Sequence, residues 1–568
     1  MEDDSERDAE PSVVVNPPQE IKNYLKKSHK FTPDYRMSGN GIIKLGIAAI
    51  FVVIELLALL WLVHTLRAGG FALYLVLELL GLFIILFDLQ KDRSPSFRYA
   101  WMLILLLLPG LGVLFYLLWG RSRPLHKNFA ALESCRAENI KLLESTTKSY
   151  AVASRSVSAS SSNDTIPISD AFRRDFTYLQ DFGHRAYQDT RVKYFPSGEE
   201  WFLSLFEDIT AAKHTILLEY YIIADGYIWA ELKRLLIQKA KEGVKVFLLY
   251  DDLGCVTNTR KDIRQDLASE GIYAMAFNPV FRSLSRLFLT YRTHQKIAVI
   301  DGNIGYTGGC NIADEYANLY DPLGYWKDVA VRLEGPGVQG LSAIFLEMWA
   351  SEKPESTPDT TLLFRNTGDT AEETAKAGTT IPDTNQGLVI PFADGPIFTP
   401  DNPAETLYRQ LLNTATQRVW MMSPFLIVED SLLQAMSVAV SSGVDVRLLV
   451  PKRADSWVVG NVTRYNYGQI LEKGVKIYEY SPGYVHAKTF LADDDRVITG
   501  SINLDFRSLN IQFEDACYIY RSPVIKEIAA DFEKCFAQSE EITFEQWKQR
   551  PWLHKVAQGV LQFFAPLL

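Results

Sequence analysis

Residues 293–314, THQKIAVIDGNIGYTGGCNIAD, have a second copy near the C-terminus, VHAKTFLADDDRVITGSINLD, and no other feature constrains the fold as much. His294, Lys296 and Asp301 are followed by Gly308, Gly309 and Asn311; His486, Lys488, Asp493, Gly500, Ser501 and Asn503 repeat every interval. On a chain with eight histidines, chance is a poor explanation. His-x-Lys on a strand points both side chains to one face. IAVI and TFLA have strand composition and end at turn signals. A second short strand returns and ends in glycine, where a ligand or backbone can approach closely. Each copy supplies an imidazole, an ammonium and an amide. Two copies facing each other supply two of each, with Ser501 as an extra donor. That set suits a phosphate oxyanion and leaves one histidine for each side of the phosphorus. The competing reading, two core hairpins, would bury two lysines without partners, which is rare.

The surroundings of the motif are also duplicated. HTILLEYYII reads as a strand, YIWAELKRLLIQKAKEG as a helix stopped by Gly243, and VKVFLLYDDLG as a strand; RVWMMSPFLIV, DSLLQAMSVAVSSG and VDVRLLVPKRA repeat the order. This β–α–β order predicts parallel strands. The expected fold class is therefore α/β, with duplicated domains of mixed sheets flanked by helices behind an N-terminal transmembrane helical region. The first domain is expected at 168–351, an inserted linker at 352–387, the second domain at 388–545 and an amphipathic C-terminal segment at 546–568. That last segment fits either the bilayer surface or the protein core.

The paired motif resembles that of the phospholipase D superfamily, and the flanking RSPSFRYAW, LLLLPGLGVLFYLLWGR, LEYYII, GYTGGCNIADEY, NIQFED and KQRPW resemble the bacterial cardiolipin synthases within it. The resemblance runs from about residue 70 to the C-terminus. It implies that His294 is the nucleophile and His486 the general acid, then base. It also implies that a phosphatidyl group passes between two phosphatidylglycerol molecules through a phosphohistidine, giving cardiolipin and glycerol. No cofactor or metal is implied. The motif's catalytic set is then His294, Lys296, Asp301, His486, Lys488 and Asp493, with Gly309, Asn311, Ser501 and Asn503 toward the substrate. Asp301 and Asp493 sit at the far ends of their strands and read as acceptors that fix turns. Asp328 and Glu514, at comparable offsets after His294 and His486, are expected to orient the imidazoles.

Residues 1–41 read as an acidic, disordered start followed by a basic stretch. Within 42–120, the runs 42–66 and 71–89 approach the ~20 residues that span a bilayer. They are expected to form a helical hairpin. The run 99–119 has Pro109, Gly110 and Gly112 at its centre and basic residues on both flanks. The positive-inside rule then favours a re-entrant turn and a cytoplasmic catalytic part; three full spans are the alternative. Residues 121–167 read as a connector and a Ser-rich linker. Five scattered cysteines without a CxxC suit a reducing compartment. The net charge of −10 argues against nucleic acid as a partner. Arg282, Arg286 and Arg292, interleaved with apolar residues ahead of His294, suit an anionic phospholipid at a membrane surface. A homo-oligomer is allowed but not required. Hydrolysis in place of transfer, a nuclease and a non-catalytic scaffold are the competing functions.

Overall fold

The computed structural model describes residues 17–28, 57, 68–87, 95–120, 126–146, 168–259, 262–280, 290–353, 358, 360, 387–398 and 401–565. The first half contains β1 (Arg191–Phe195), β2 (Thr215–Tyr220), β3 (Lys245–Asp251), β4 (Tyr273–Phe277), β5 (Ile297–Ile300), β6 (Ile304–Gly308), β7 (Tyr325–Lys327) and β8 (Ala330–Glu334). The second contains β9 (Leu388–Asp394), β10 (Arg418–Met422), β11 (Asp445–Pro451), β12 (Lys476–Tyr480), β13 (Gly483–Val485), β14 (Thr489–Ala492), β15 (Arg496–Gly500), β16 (Glu514–Tyr520) and β17 (Ser539–Ile542). The sheet orders are β1-β8-β6-β5-β2-β3-β4 and β17-β12-β11-β10-β14-β15-β16-β9. Apart from the extra edge strand β17, the second order repeats the first. β2, β3 and β4 are parallel, as are β10, β11 and β12, and the histidine-motif hairpins join antiparallel. The expected duplicated α/β architecture with mixed sheets is therefore present.

Local chemistry explains the repeat. Strand β2 is buried along its whole length, as parallel strands covered on both faces require. The helices Tyr227–Lys241 and Asp430–Ser441 stop just before Gly243 and Gly443, whose φ values of 92° and 88° few other residues adopt. The two sheets share a core: Leu217, Leu249, Ile297 and Val331 from the first pack in one cluster with Trp420, Leu449, Leu491 and Val497 from the second. A short parallel pairing, β7 with β13, ties the halves together directly beside His486.

The halves also interpenetrate more than the sequence boundaries suggest. The helix Asp170–Asp181, expected in the first domain, packs Phe172 and Phe176 on the second sheet, where Phe172 stacks on Tyr520 with ring centroids 4.0 Å apart. Residues 17–20, read as part of a disordered start, belong to the helix Pro17–Ser28. Its Ile21 and Leu25 are buried against the first half, and Tyr24 stacks on Phe206. The spacing of those three residues is amphipathic, a signal masked by the acidic, proline-containing context.

Among the described residues no helix is long and apolar enough to cross a membrane, so the expected transmembrane region is not confirmed. The run 42–66 lies outside the described residues except for residue 57, as do the Ser-rich linker, most of 352–387, and Arg282 and Arg286. The helix Ala68–Phe87 exposes Val76, Leu79, Phe83 and Leu86. Beyond it the chain breaks at Leu108, between the helices Pro95–Leu107 and Pro109–Phe115. Gly112 permits a tight return, since a Cβ there would stand 2.6 Å from the Ile104 carbonyl oxygen.

Candidate active site

His294 and His486 lie outside the strands, contrary to the strand placement that the His-x-Lys pattern predicts. Each sits in extended chain just before its strand and is held by the opposite half. The His294 amide donates to the Phe513 carbonyl at 2.8 Å, and the His486 amide to the Lys327 carbonyl at 2.7 Å. The residue that follows each of these carbonyls in sequence is the acid. His294 Nδ1 lies 3.0 Å from both carboxyl oxygens of Glu514, and His486 Nδ1 lies 2.7 Å from Asp328 Oδ2. The carboxyls thus cross over, which corrects the assignment of each acid to the histidine it follows in sequence. Spacing within one chain cannot reveal that exchange, because it arises when the two sheets meet face to face.

Lys296 and Lys488 are also buried. Lys296 Nζ donates to the His294 carbonyl at 2.6 Å; Lys488 Nζ lies 2.8 Å from His486 Nδ1 and also donates to the His486 carbonyl. Burial, then the charges of Lys296, Lys488 and Arg507, hold His294 well below the usual histidine range. Burial and Lys488 pull His486 down to about 3, against the charge and hydrogen bond of Asp328. Each lysine therefore acts on both imidazoles, and the two motifs form one electrostatic unit. Burial pulls Lys488 down to about 7. A pair of desolvated ammonium groups is costly unless an anion joins them, so the cluster is built to receive negative charge.

The other candidates divide. Asp301 accepts from the amides of Lys213, His214 and Thr215, and Asp493 from those of Thr416, Gln417 and Arg418. Both fix turns at the end of the strand away from the imidazoles, the role expected of them as turn acceptors, and they serve the motif by holding its hairpin. Asn311 is committed internally, accepting from the Ile222 amide and donating to Tyr316 Oη at 2.7 Å. Ser501 donates to Glu514 and accepts from the Asp515 amide, so its hydroxyl braces the acid. Gly309 makes room for Asp328, whose Oδ1 would lie 2.0 Å from an added Cβ. Asn503 is buried, with its amide oxygen unbonded. Arg292, expected to meet a headgroup, is instead buried 3.4 Å from Asp251.

Several neighbours carry no motif signal. Tyr221 meets the His294 ring edge-on at 5.1 Å between centroids, and Tyr316 does the same to His486 at 5.2 Å. Asp515 accepts from the Lys296 amide at 2.9 Å and from Thr307 Oγ1 at 2.5 Å. Glu219 accepts from Thr293 Oγ1 at 2.5 Å. NIQFED and LEYYII contain these acids, but only the folded chain shows that they lie against the site.

A family model described as "Cardiolipin synthase, PLD-like domain" matches residues 205–349 and 408–536, and one described as "Phospholipase D-nuclease N-terminal" matches residues 70–121. The cardiolipin synthase of Halalkalibacterium halodurans is 30% identical over 88% of this chain and 94% of its own length. The major cardiolipin synthase ClsA of Bacillus subtilis is 31% identical over 88% of this chain and 98% of its own. An uncharacterized protein of Streptococcus mutans is 36% identical over 68% of this chain and 80% of its own.

Proposed function

The chain belongs to the family of PLD-like cardiolipin synthases, and from that premise we propose that it transfers a phosphatidyl group between two phosphatidylglycerol molecules. His294 Nε2 attacks phosphorus, the bond from phosphorus to the glycerol oxygen breaks, and His486 gives its proton to the departing glycerol. The terminal hydroxyl of a second phosphatidylglycerol then passes its proton to His486 and attacks. The P–N bond to His294 breaks and cardiolipin is released. One phosphodiester replaces another, so no nucleotide is consumed. Nδ1 of each ring is committed to a carboxyl, which leaves Nε2 as the reacting nitrogen. Lys296 and Lys488 neutralise the phosphate and the added charge of its five-coordinate state.

The crossed pairing carries this reading. His294 with Glu514 and His486 with Asp328 can form only when both halves close on one site. With both histidines buried, the site disfavours bulk water as the acceptor. Purified protein in vesicles of phosphatidylglycerol alone should yield cardiolipin and glycerol in equal amounts by mass analysis. Phosphatidic acid as the main product would establish a hydrolase instead.

The same reading puts the chain in the cell membrane, with a helical hairpin at 42–66 and 71–89, a re-entrant 99–119 and a cytoplasmic catalytic part. Support comes from the helix Pro17–Ser28, whose packing on the catalytic half through Ile21 and Leu25 needs an even number of crossings between them. Cysteine labelling near Glu20 and Ser158 in sealed cells should find both sites inaccessible from outside. Opposite accessibility would require three full spans.

A further inference from the structure

The helix Trp552–Phe563 is mounted with much of its polar side inward. Gln558 is buried and donates to Asn461 Oδ1 at 3.3 Å, and Arg550 Nε donates to Gln558 Oε1 at 2.8 Å. Asn466 Nδ2 donates to Gln562 Oε1 at 3.0 Å, and Gln562 Nε2 returns to Asn466 Oδ1 at 3.4 Å. These amides fasten the helix alongside Trp457–Glu472, helped by Leu561 and Ala565 against Ile427 and Val462. The outward face then carries Trp552, Leu553, Val556, Val560 and Phe563, at 69, 60, 56, 58 and 39% exposure. Single exposed apolar side chains are ordinary. An entire helical stripe turned outward, opposite a row of satisfied amides, marks an interaction surface.

Three observations choose its occupant. Trp457, the first residue of the supporting helix, is 70% exposed, and the pairs Asn461–Gln558 and Asn466–Gln562 run the two helices in the same direction, which puts it toward the Trp552 end. That end adjoins the catalytic edge of the second sheet. β10 ends at Met422, which pairs with Thr489 just after Lys488, and a recess lined by Pro424, Pro451, Asp455 and Thr463 lies between there and the supporting helix Trp457–Glu472. Finally, Lys548, His554 and Lys555 are exposed around Trp552 on a chain whose net charge is −10. A basic rim around an aromatic and aliphatic stripe matches an anionic bilayer interface.

We propose that Trp552–Phe563 and Trp457 form an anionic-bilayer docking face that sets the catalytic cleft against the membrane surface. This rests on the lipid-substrate reading above, and it adds a membrane contact made by the catalytic part itself, apart from the N-terminal apolar region. The full-length protein carrying Val556→Cys, labelled with an environment-sensitive fluorophore, is reconstituted in phosphatidylglycerol vesicles. Nitroxide groups on the acyl chains should quench the label, and aqueous iodide should not. Quenching by iodide would overturn the proposal, as would protection from both quenchers, which would indicate a second copy of the chain on this face. In parallel, Val556→Ser with Val560→Ser should lower the initial rate on vesicles about tenfold, while the rate on dispersed short-chain phosphatidylglycerol stays within about twofold. Equal loss on both substrates would overturn it too. Lipid quenching does not depend on which product forms, so a failed transferase reading and a failed docking face give different results.

Discussion

His294 and His486 enter the site by the same backbone bonds, but the side chains behind them differ. Strand register sets Glu219 opposite Ile297 in the first half and Met422 opposite Thr489 in the second, so a buried acid in one stands where the other has a thioether. By the same correspondence Asp251 matches Pro451, and Asp515 matches Val329. The acids that orient the rings also diverge. Burial pushes Glu514 up to about 8, against Lys296 and the Ser501 hydroxyl. Burial would raise Asp328 as well, but the charge and hydrogen bond of His486, with Lys488, hold that carboxyl below its usual range. Asp328 therefore remains an anion beside His486 and opposes the burial and the Lys488 charge that pull that ring down to about 3. His294 has only weak opposition to burial and three neighbouring cations. The histidine, lysine and asparagine of the two copies are matched, and the electrostatics around them are not. This gives a physical ground for making His294 the neutral nucleophile and His486 the proton carrier, a choice that the repeated motif leaves open.

The largest test of that division removes each ring in turn. His294→Ala should abolish transfer and hydrolysis on every donor lipid, a loss of about 10⁴-fold or more. His486→Ala should lose about as much on phosphatidylglycerol. It should, however, recover single-turnover formation of the covalent intermediate from a donor whose leaving group needs no proton, such as a nitrophenyl ester. Equal rescue of both variants would erase the difference between the rings. Next, Asp328→Asn should lower kcat about 100-fold and Glu514→Gln about 10-fold, because only Asp328 is a standing anion; the reverse order in a kcat comparison would invert the assignment.

Two smaller effects concern charge. Lys488, pulled down to about 7 by burial, should take up a proton when a phosphodiester anion binds at pH 8. Calorimetry in buffers of different ionisation heat should show about one proton bound per ligand, lost in Lys488→Met. Glu514 has a folded pKa of about 8 against an ordinary 4.5. Its stabilising contribution is complete below pH 4.5 and is lost as pH rises through 8. Glu514→Gln should thus gain thermal midpoint relative to the parent across that window, with a constant advantage above it, even as activity falls. A flat difference from pH 5 to 9 would mean that Glu514 is an ordinary carboxylate.

Much of this was legible before folding. The repeated strand–helix–strand order follows from local apolar runs, glycine stops and turn residues, which are properties of short windows. The lysines and histidines stand out because of their spacing. What the chain alone cannot reveal depends on contact between distant segments. The exchange of Asp328 and Glu514, the commitment of Asn311 to Tyr316, and the spending of Ser501 on Glu514 all arise from packing of one half against the other. Arg292 misleads for a related reason. Its basic and apolar neighbourhood reads as a surface, but Asp251 at the end of β3 draws it inside. The helix Trp552–Phe563 is legible as amphipathic, while the direction its apolar face takes is set by Asn461 and Asn466, nearly a hundred residues earlier.

The claim that one imidazole becomes covalently phosphorylated while the other moves protons is tested most directly by trapping the intermediate. Phosphatidylglycerol labelled at phosphorus is mixed with the protein, quenched in alkali within one turnover, and the labelled peptides are mapped. The label should sit on the peptide bearing His294 and be absent from the one bearing His486. Label on the His486 peptide, or none on either while cardiolipin accumulates, would contradict the account.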